Sequence, residues 1–340
     1  MNDKALKVLE FHKIIELLAE RATSEPGRKM CLGLRPSVVR STIESCQQET
    51  EDATSRLLRR GATNFGSNKD LGFSLKGLEV GSTLSVSELL KIAMLLENVA
   101  RVKNYGKEDA RTVSLEDGAQ DGDSLTPYFD ALEPFHALSS EIRRCILSEE
   151  EIADDASSNL KRIRREKSST GDKIHSQLLS MINGSCRTYL QDAVITQRGN
   201  RYCIPVKAEY KAQVPGMVHD QSSTGSTYFI EPAAVVALNN RLKELEAAEK
   251  DEIEVILAGL SAQTAEHCAE ILENCRLMTL LDFIFAKASL ALDMSGSRPV
   301  FNEDHYINIR KGRHPLIDKK SVVPIDIQLG KDFDLLVITG

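Results

Sequence analysis

The sequence predicts a mainly α protein: a helical body, two long antiparallel helical arms, a small β-rich insert between the arms, and a few strands near the C-terminus. Three observations carry that prediction. Proline, which removes a helical hydrogen bond and clashes with the preceding turn, occurs at 26, 36, 127, 134, 205, 215, 232, 299, 315 and 324, leaving 135–204 and 233–298 free of it. Apolar residues in both free stretches recur at the spacing of one helix face. Between them the chain turns to β-branched, aromatic and turn-forming residues.

Residues 1–145 read as short amphipathic helices forming a core domain. "ALKVLEFHKIIELLAERA" places Leu6, Leu9, Ile14, Leu17 and Leu18 on one face. "STLSVSELLKIAMLLENVARVKNY" opens on a serine cap, with Glu88 three residues after Ser85 as a capping box requires. The acidic, Gly-containing "YGKEDARTVSLEDGAQDGDSLTP" reads in part as a mobile loop.

The first arm, 146–190, carries a stripe of Ile152, Ala156, Leu160, Ile163, Ile174, Leu178 and Ile182, with a bend expected at Ser168, Ser169, Thr170 and Gly171. The second, 232–295, repeats the pattern in Leu238, Leu242, Leu245, Ile253, Ile256, Leu260, Ile271 and Leu272. Its helical part is expected to run about 50 to 60 residues, or about 75–90 Å. Helices that long project from a compact body, and an antiparallel pair is the simplest geometry. The insert, 191–231, then caps the pair as a small sheet. "RYCIPVKAEY" and "STYFIEP" supply its strands and "VPGMVHDQSSTGS" the turn chemistry between them. After Gly296 short β-like pieces follow, "YINIRKGRHPLI", "VVPIDIQL" and "FDLLVITG". An apolar strand ending on Gly is how a phosphate-binding loop is entered, and Gly340 closes the sequence before such a loop is completed.

With 340 residues, 41% hydrophobic and 27% charged, the chain is long enough to bury a core and divide into more than one unit. A net charge of −7 excludes a uniformly basic nucleic-acid binder and leaves room for a local basic patch. No apolar run of membrane-spanning length and no signal-peptide pattern occurs, so a cytoplasmic location without membrane attachment is expected. Seven scattered cysteines without a C-x-x-C pair point to reduced structural thiols and no zinc site.

Segment 187–231 holds five basic and four acidic residues, against the acidic whole. Arg187, Arg198, Arg201, Lys207 and Lys211 at a projecting tip are the candidates for phosphate contact; ordinary strand-surface charge is the plainer account of each. The run Lys161, Arg162, Arg164, Arg165 and Lys167 spans more than one helix face and reads as a solvated surface, paired with Glu150, Glu151, Asp154 and Asp155 or with the opposite arm. His219 and Asp220 lack the further ligands of a metal hydrolase, and Ser222 lies outside any G-x-S-x-G elbow, so these side chains are expected to hydrogen-bond a tight turn. No catalytic residue and no metal ligand is assigned.

The residues then match a known family. The opening "LEFHKIIELLAERATSEPGRKMCLGLRPS", the middle "RGNRYCIPVKAEYKAQVPGMVHDQSSTGSTYFIEPAAVVALNNRL", and "GRHPL" followed by "LLVITG" closely resemble the second branch of bacterial MutS homologues, the Smr-bearing MutS-like ATPases. His12 departs from the family by standing where an acidic residue is expected. The resemblance implies that 1–145 is the helical core, 146–190 and 232–295 the lever arms, 191–231 the clamp, and 296–340 the first strands of an α/β ATPase domain cut at the start of Walker A.

It further implies ATP and Mg as cofactors of the full-length protein and none in this piece, with Val322 and Val323 beside the adenine and Gly340 opening the phosphate loop. The implied partners are branched DNA, the ribosome and its rRNA, and a second copy in a homodimer. Full-length relatives are implied to hydrolyse ATP and to carry an Smr endonuclease domain, with roles in suppressing recombination and rescuing collided ribosomes. The piece itself is expected to be an inactive binding and transmission module. A coiled-coil dimerisation module that positions the ATPase is the alternative. The family's mismatch-reading Phe-x-Glu matches Phe229–Glu231 and Phe301–Glu303 as text, but neither sits in a mismatch-domain context, and no such role is assigned.

Overall fold

In the computed structural model the described residues are 3–66, 71–79, 81–107 and 123–337. Among them the chain runs through α1 (Asp3–Val8), α2 (Phe11–Ala19), α3 (Glu25–Leu32), α4 (Arg40–Arg60), α5 (Gly72–Glu79), α6 (Val86–Gly106), α7 (Thr126–Asp130) and α8 (His136–Cys145). It continues through β1 (Ile146–Ser148), β2 (Glu151–Ile152), α9 (Ser158–Asn183), β3 (Thr196–Arg198), β4 (Arg201–Lys207), β5 (Gly216–Gln221) and β6 (Thr227–Pro232). The last elements are α10 (Ala233–Ala265), α11 (Cys268–Met294), β7 (Ile307–Gly312) and β8 (Ile325–Leu329). The protein is mainly α with a few small antiparallel sheets. No described helix is long and apolar enough to cross a membrane.

The chain forms two compact units. The first draws on Met1–Val80, Lys91–Ser139 and Ala265–Gly340. Its central helix is α11, which packs on α3 and α4 and buries Leu277, Leu281, Ile284, Phe285 and Ala288. A buried acid fixes that packing. The Asp282 carboxylate accepts from the Thr23 amide (2.9 Å) and hydroxyl (2.9 Å) and from the Ser24 amide (2.8 Å) and hydroxyl (2.6 Å). Ser24 in turn caps α3 by accepting from the Gly27 amide at 3.0 Å. Gly27 is obligatory here, because a Cβ would stand 2.1 Å from Asp282 Oδ2. Arg56 of α4 is equally buried: its guanidinium grips Asp123 (2.6 and 2.8 Å), donates to the Gly106 carbonyl (2.9 Å) and lies 4.9 Å over the Phe129 ring. Burial works against the Asp123 charge, but the Arg56 hydrogen bonds and charge outweigh it and hold the carboxyl below its ordinary range.

The opening helical stretch departs from expectation. Glu10 adopts a left-handed φ of 53° and splits it into α1 and α2, so the buried face of α2 is Ile15, Leu18 and Ala19, while Leu9 is left exposed. The acidic loop falls mostly on 108–122, outside the described residues. At the C-terminal end β7 and β8 pair antiparallel, Ile307 opposite Leu329. The expected strand "FDLLVITG" does not form over 333–337, where Leu335 and Val337 are exposed: an apolar segment pairs as a strand only against a neighbouring edge. Residues 338–340, Gly340 among them, are outside the described residues.

The second unit comprises Gly81–Leu90 and Ser140–Thr264. The capping box is present: the Ser85 amide and hydroxyl donate to Glu88 Oε2 at 2.9 and 2.7 Å. α9 runs unbroken through Ser168–Gly171, where a bend was expected, and its buried stripe is Leu160, Ile163, Thr170, Ile174, Leu178 and Ile182. Ile152 and Ala156 precede that helix, in β2 and a 3₁₀ turn. The second predicted arm is two helices rather than one, because the chain leaves the helix at Glu266–His267 between α10 and α11. α10 alone spans about 50 Å at 1.5 Å per residue.

Charges hold α9 against α10. Glu249 accepts from Arg164 Nε (2.8 Å) and Lys167 Nζ (2.7 Å), Glu252 from Ser157 (2.7 Å) and Asn159 (2.6 Å), and Glu166 from Arg241 (2.8 Å). Arg164 also reaches Asp154 at 2.6 Å. The basic run of α9 is thus partly a helix-to-helix seam. The sheet has the order β3-β4-β6-β5, antiparallel throughout. Ile204, Val206 and Ile230 pack with Ile174, Leu178 and Ile182 of α9 and with Val235 and Leu242 of α10. "GMVHDQ", expected as turn, is the edge strand β5.

Candidate nucleic-acid interface

The sheet of the second unit divides the five predicted cations into two groups. Arg198 and Arg201 are Cα partners across the β3–β4 hairpin, whose central Gly199 and Asn200 both take positive φ (56° and 59°), the type I′ geometry. Two like charges face each other there, and each is drawn to an acid of another strand. Arg198 pairs with Asp220 of β5 at 3.1 Å and lies 4.0 Å over the Phe229 ring. Arg201 holds Glu231 of β6 with Nη1 at 2.8 and 3.0 Å from its two oxygens and donates through Nη2 to Asn240 (2.7 Å).

Glu231 is the hub of this network. Its side chain is fully buried (0% exposed), and it also meets His219 Nε2 at 2.5 Å and the Asn239 amide at 2.9 Å. Asn239 of α10 exchanges hydrogen bonds with the Tyr202 backbone at 3.2 Å, which ties the helix to β4. Burial opposes the Glu231 charge; the hydrogen bonds from His219, Asn239 and Arg201, with the Arg201 charge, prevail and keep its carboxyl below the ordinary range. His219, expected from sequence to hydrogen-bond the tight turn, instead binds Glu231. The register slips between Val218 and Asp220, leaving His219 as the extra residue of a bulge, and a bulge re-aims a side chain. The turn itself is built by Ser222, whose hydroxyl accepts from the Thr227 amide (3.0 Å), and by Gly225 at φ 73°. Among the described residues no cluster of His, Cys, Asp and Glu forms a metal site.

The other three cations stand on segments that meet at the end of β4. Lys207 ends β4, and Lys211 follows in the 3₁₀ turn Ala208–Gln213. Arg187 opens the 3₁₀ turn Arg187–Tyr189, which reaches the end of β4 through a Leu190–Val206 bridge and a Gln191 amide donating to the Pro205 carbonyl (2.9 Å). The Tyr189 and Tyr210 rings lie 5.2 Å apart, Lys207 Nζ is 6.0 Å from the Tyr210 ring, and Lys211 Nζ is 4.6 Å from the Tyr228 ring. All three tyrosines pack against the apolar cluster of the sheet and remain half-buried. Among the described residues Arg187, Lys207 and Lys211 have no carboxylate partner. A long flexible ammonium resting on a ring is held only weakly and is free to meet an anion.

Tyr189, Tyr228, Glu231 and Asn239 do not stand out in the sequence. "VKAEYK" interleaves Tyr210 with Lys207 and Lys211, a pattern of cations around an aromatic residue that is available in one dimension. Glu231 is not, since its partners lie 12 and 30 residues away. Val322 and Val323 stand in a turn closed by the Ser321 and Val322 amides on the Asp318 carbonyl (3.0 and 2.9 Å), with Val323 exposed. Two aliphatic side chains there offer an apolar face and no hydrogen-bond donor for a phosphate.

No protein-family model matches the chain. Among curated proteins it is 52% identical over 341 residues to the Endonuclease MutS2 of Lachnoclostridium phytofermentans, covering all of this chain and 43% of that relative. It is 50% identical to the Endonuclease MutS2 of Lachnospira eligens and 43% identical to that of Acetivibrio thermocellus, covering all of this chain and 42% of each. The chain thus spans less than half the length of these relatives.

Proposed function

We propose, from the premise that this chain belongs along its whole length to the MutS2 family of MutS homologues, that it is the nucleic-acid-engaging, non-catalytic part of a MutS2-type protein. In this reading the four-stranded sheet is the clamp and α9 with α10 the lever that carries it. Arg187, Lys207 and Lys211 meet phosphate oxygens, while Arg198 and Arg201 keep the clamp in shape. One observation carries the reading: two basic side chains without acidic partners, Lys207 and Lys211, lie by the rings of a tyrosine cluster that the turn bearing Arg187 joins through Tyr189, in a chain that is acidic overall. The relatives are named as endonucleases, enzymes that act on nucleic acid, and an N-terminal binding part suits that chemistry.

In the whole protein, branched DNA or the collided ribosome is the target, ATP with Mg drives the change of state, and two copies act together. The test measures binding of the 340-residue chain to a four-way DNA junction and to ribosomes across a salt series. Affinity that falls steeply with salt supports phosphate contact, since each neutralised phosphate releases counterions. No binding at low salt, or binding indifferent to salt, overturns the reading. The ion-paired seam between α9 and α10 also favours a second reading, a rigid spacer that dimerises; sedimentation across concentration addresses it, and a strict monomer removes it.

A further inference from the structure

We infer that the tyrosine cluster takes a single strand of nucleic acid, with unpaired bases on Tyr210 and Tyr228 and the backbone on Arg187, Lys207 and Lys211. The inference rests on the phosphate-binding reading of the same patch and adds which form of nucleic acid fits it.

Three observations lead to it. The rings and the cations share one surface, so a strand whose phosphates meet Lys207 and Lys211 passes its bases across Tyr210 and Tyr228. An intact duplex hides its base faces and would leave those rings idle. Next, 3₁₀ turns, the end of β4 and the start of β6 present the patch, and no α-helix, the element that commonly reads duplex sequence in a major groove, is among them. Last, each ring is anchored on the hydrophobic cluster yet partly open to solvent, and none of the Tyr189, Tyr210 and Tyr228 hydroxyls has a hydrogen-bond partner among the described residues. A fixed ring with little conformational entropy left to lose is a good stacking platform, and every base has a face to offer it.

The test uses the chain as it stands with an unstructured oligothymidine and a blunt duplex of the same length. The protein has no Trp, so its emission comes from tyrosine, and a base stacked on a ring quenches it directly. The single strand is expected to quench that emission and to bind more tightly than the duplex. Tyr210→Leu and Tyr228→Leu, which keep the apolar packing, are each expected to weaken single-strand binding about 5- to 100-fold, the equivalent of removing one stacked base. Tyr228→Phe keeps the ring and is expected to stay within about twofold. Duplex binding and the salt slope are expected to be unmoved by either leucine.

Equal affinity for both forms without quenching, with binding still abolished by removing Arg187, Lys207 and Lys211, overturns the single-strand inference alone. Failure to bind either form removes the phosphate reading and this inference with it. The quenching measurement on the unaltered chain decides the matter even if a leucine variant fails to fold.

Discussion

Glu231 shows how one buried carboxylate decides the roles of its neighbours. With a fully buried side chain facing Arg201, His219 and Asn239, it takes two candidate surface groups out of play. Removing its charge in Glu231→Gln leaves Arg201 without its counter-ion, and a loss of about 3 kcal/mol is expected in urea unfolding of the chain, in the range for breaking buried pairs. Both partners are about one-fifth exposed, so water moderates the cost. The pH dependence has a definite sign. Glu231 and Glu249 both have folded-state pKa values below the ordinary 4.5, so the stability they supply is complete above about that pH and drains away as pH falls through the lowered values. Acid titration followed by circular dichroism is expected to show unfolding that Glu231→Gln makes less steep. In the first unit, Gly27→Ala forces a methyl group onto the Asp282 carboxylate, and a loss of at least about 2 kcal/mol is expected from thermal melts.

At the scale of elements, α9 shows what a sequence pattern can and cannot convey. The stripe Leu160, Ile163, Ile174, Leu178 and Ile182 is buried as its spacing foretold, because helix periodicity is a local property. The capping box at Ser85 and Glu88 was legible for the same reason. The strand β5 was not: Gly216, His219, Asp220 and Gln221 are weak strand formers, and the segment is extended because β6 offers it a free edge. Nor was the break at Glu266–His267, which no proline or glycine marks. Ion pairing between helices belongs to the same non-local class. Glu249, shared by Arg164 and Lys167 and mostly buried, is expected to contribute about 1 to 2 kcal/mol to the α9–α10 seam. Glu249→Gln should therefore lower the melting temperature by a few degrees, whereas Arg165→Gln, outside the seam, should leave it unchanged.

For the molecule as a whole, family and mainly α architecture were readable because long stretches of residues carry them, while the proposed binding surface was readable only in part. Apart from the Tyr210 that separates Lys207 from Lys211, nothing in one dimension distinguishes the five basic residues of 187–231. Folding sorts them, since Asp220 and Glu231 arrive on neighbouring strands and claim Arg198 and Arg201. The turn that carries Arg187 comes to the end of β4 through the Leu190–Val206 bridge and the meeting of the Tyr189 and Tyr210 rings. That sorting is the central claim, and the salt dependence of nucleic-acid binding tests it most directly. The variant Arg187→Ala, Lys207→Ala, Lys211→Ala is compared with the unaltered chain and with Arg198→Ala on a single-stranded oligonucleotide. The account predicts that the triple variant reduces the slope of log affinity against log salt by about 2, at about 0.7 for each phosphate no longer neutralised, while Arg198→Ala leaves it nearly unchanged. An unchanged slope in the triple variant, or a larger fall in Arg198→Ala, would contradict it.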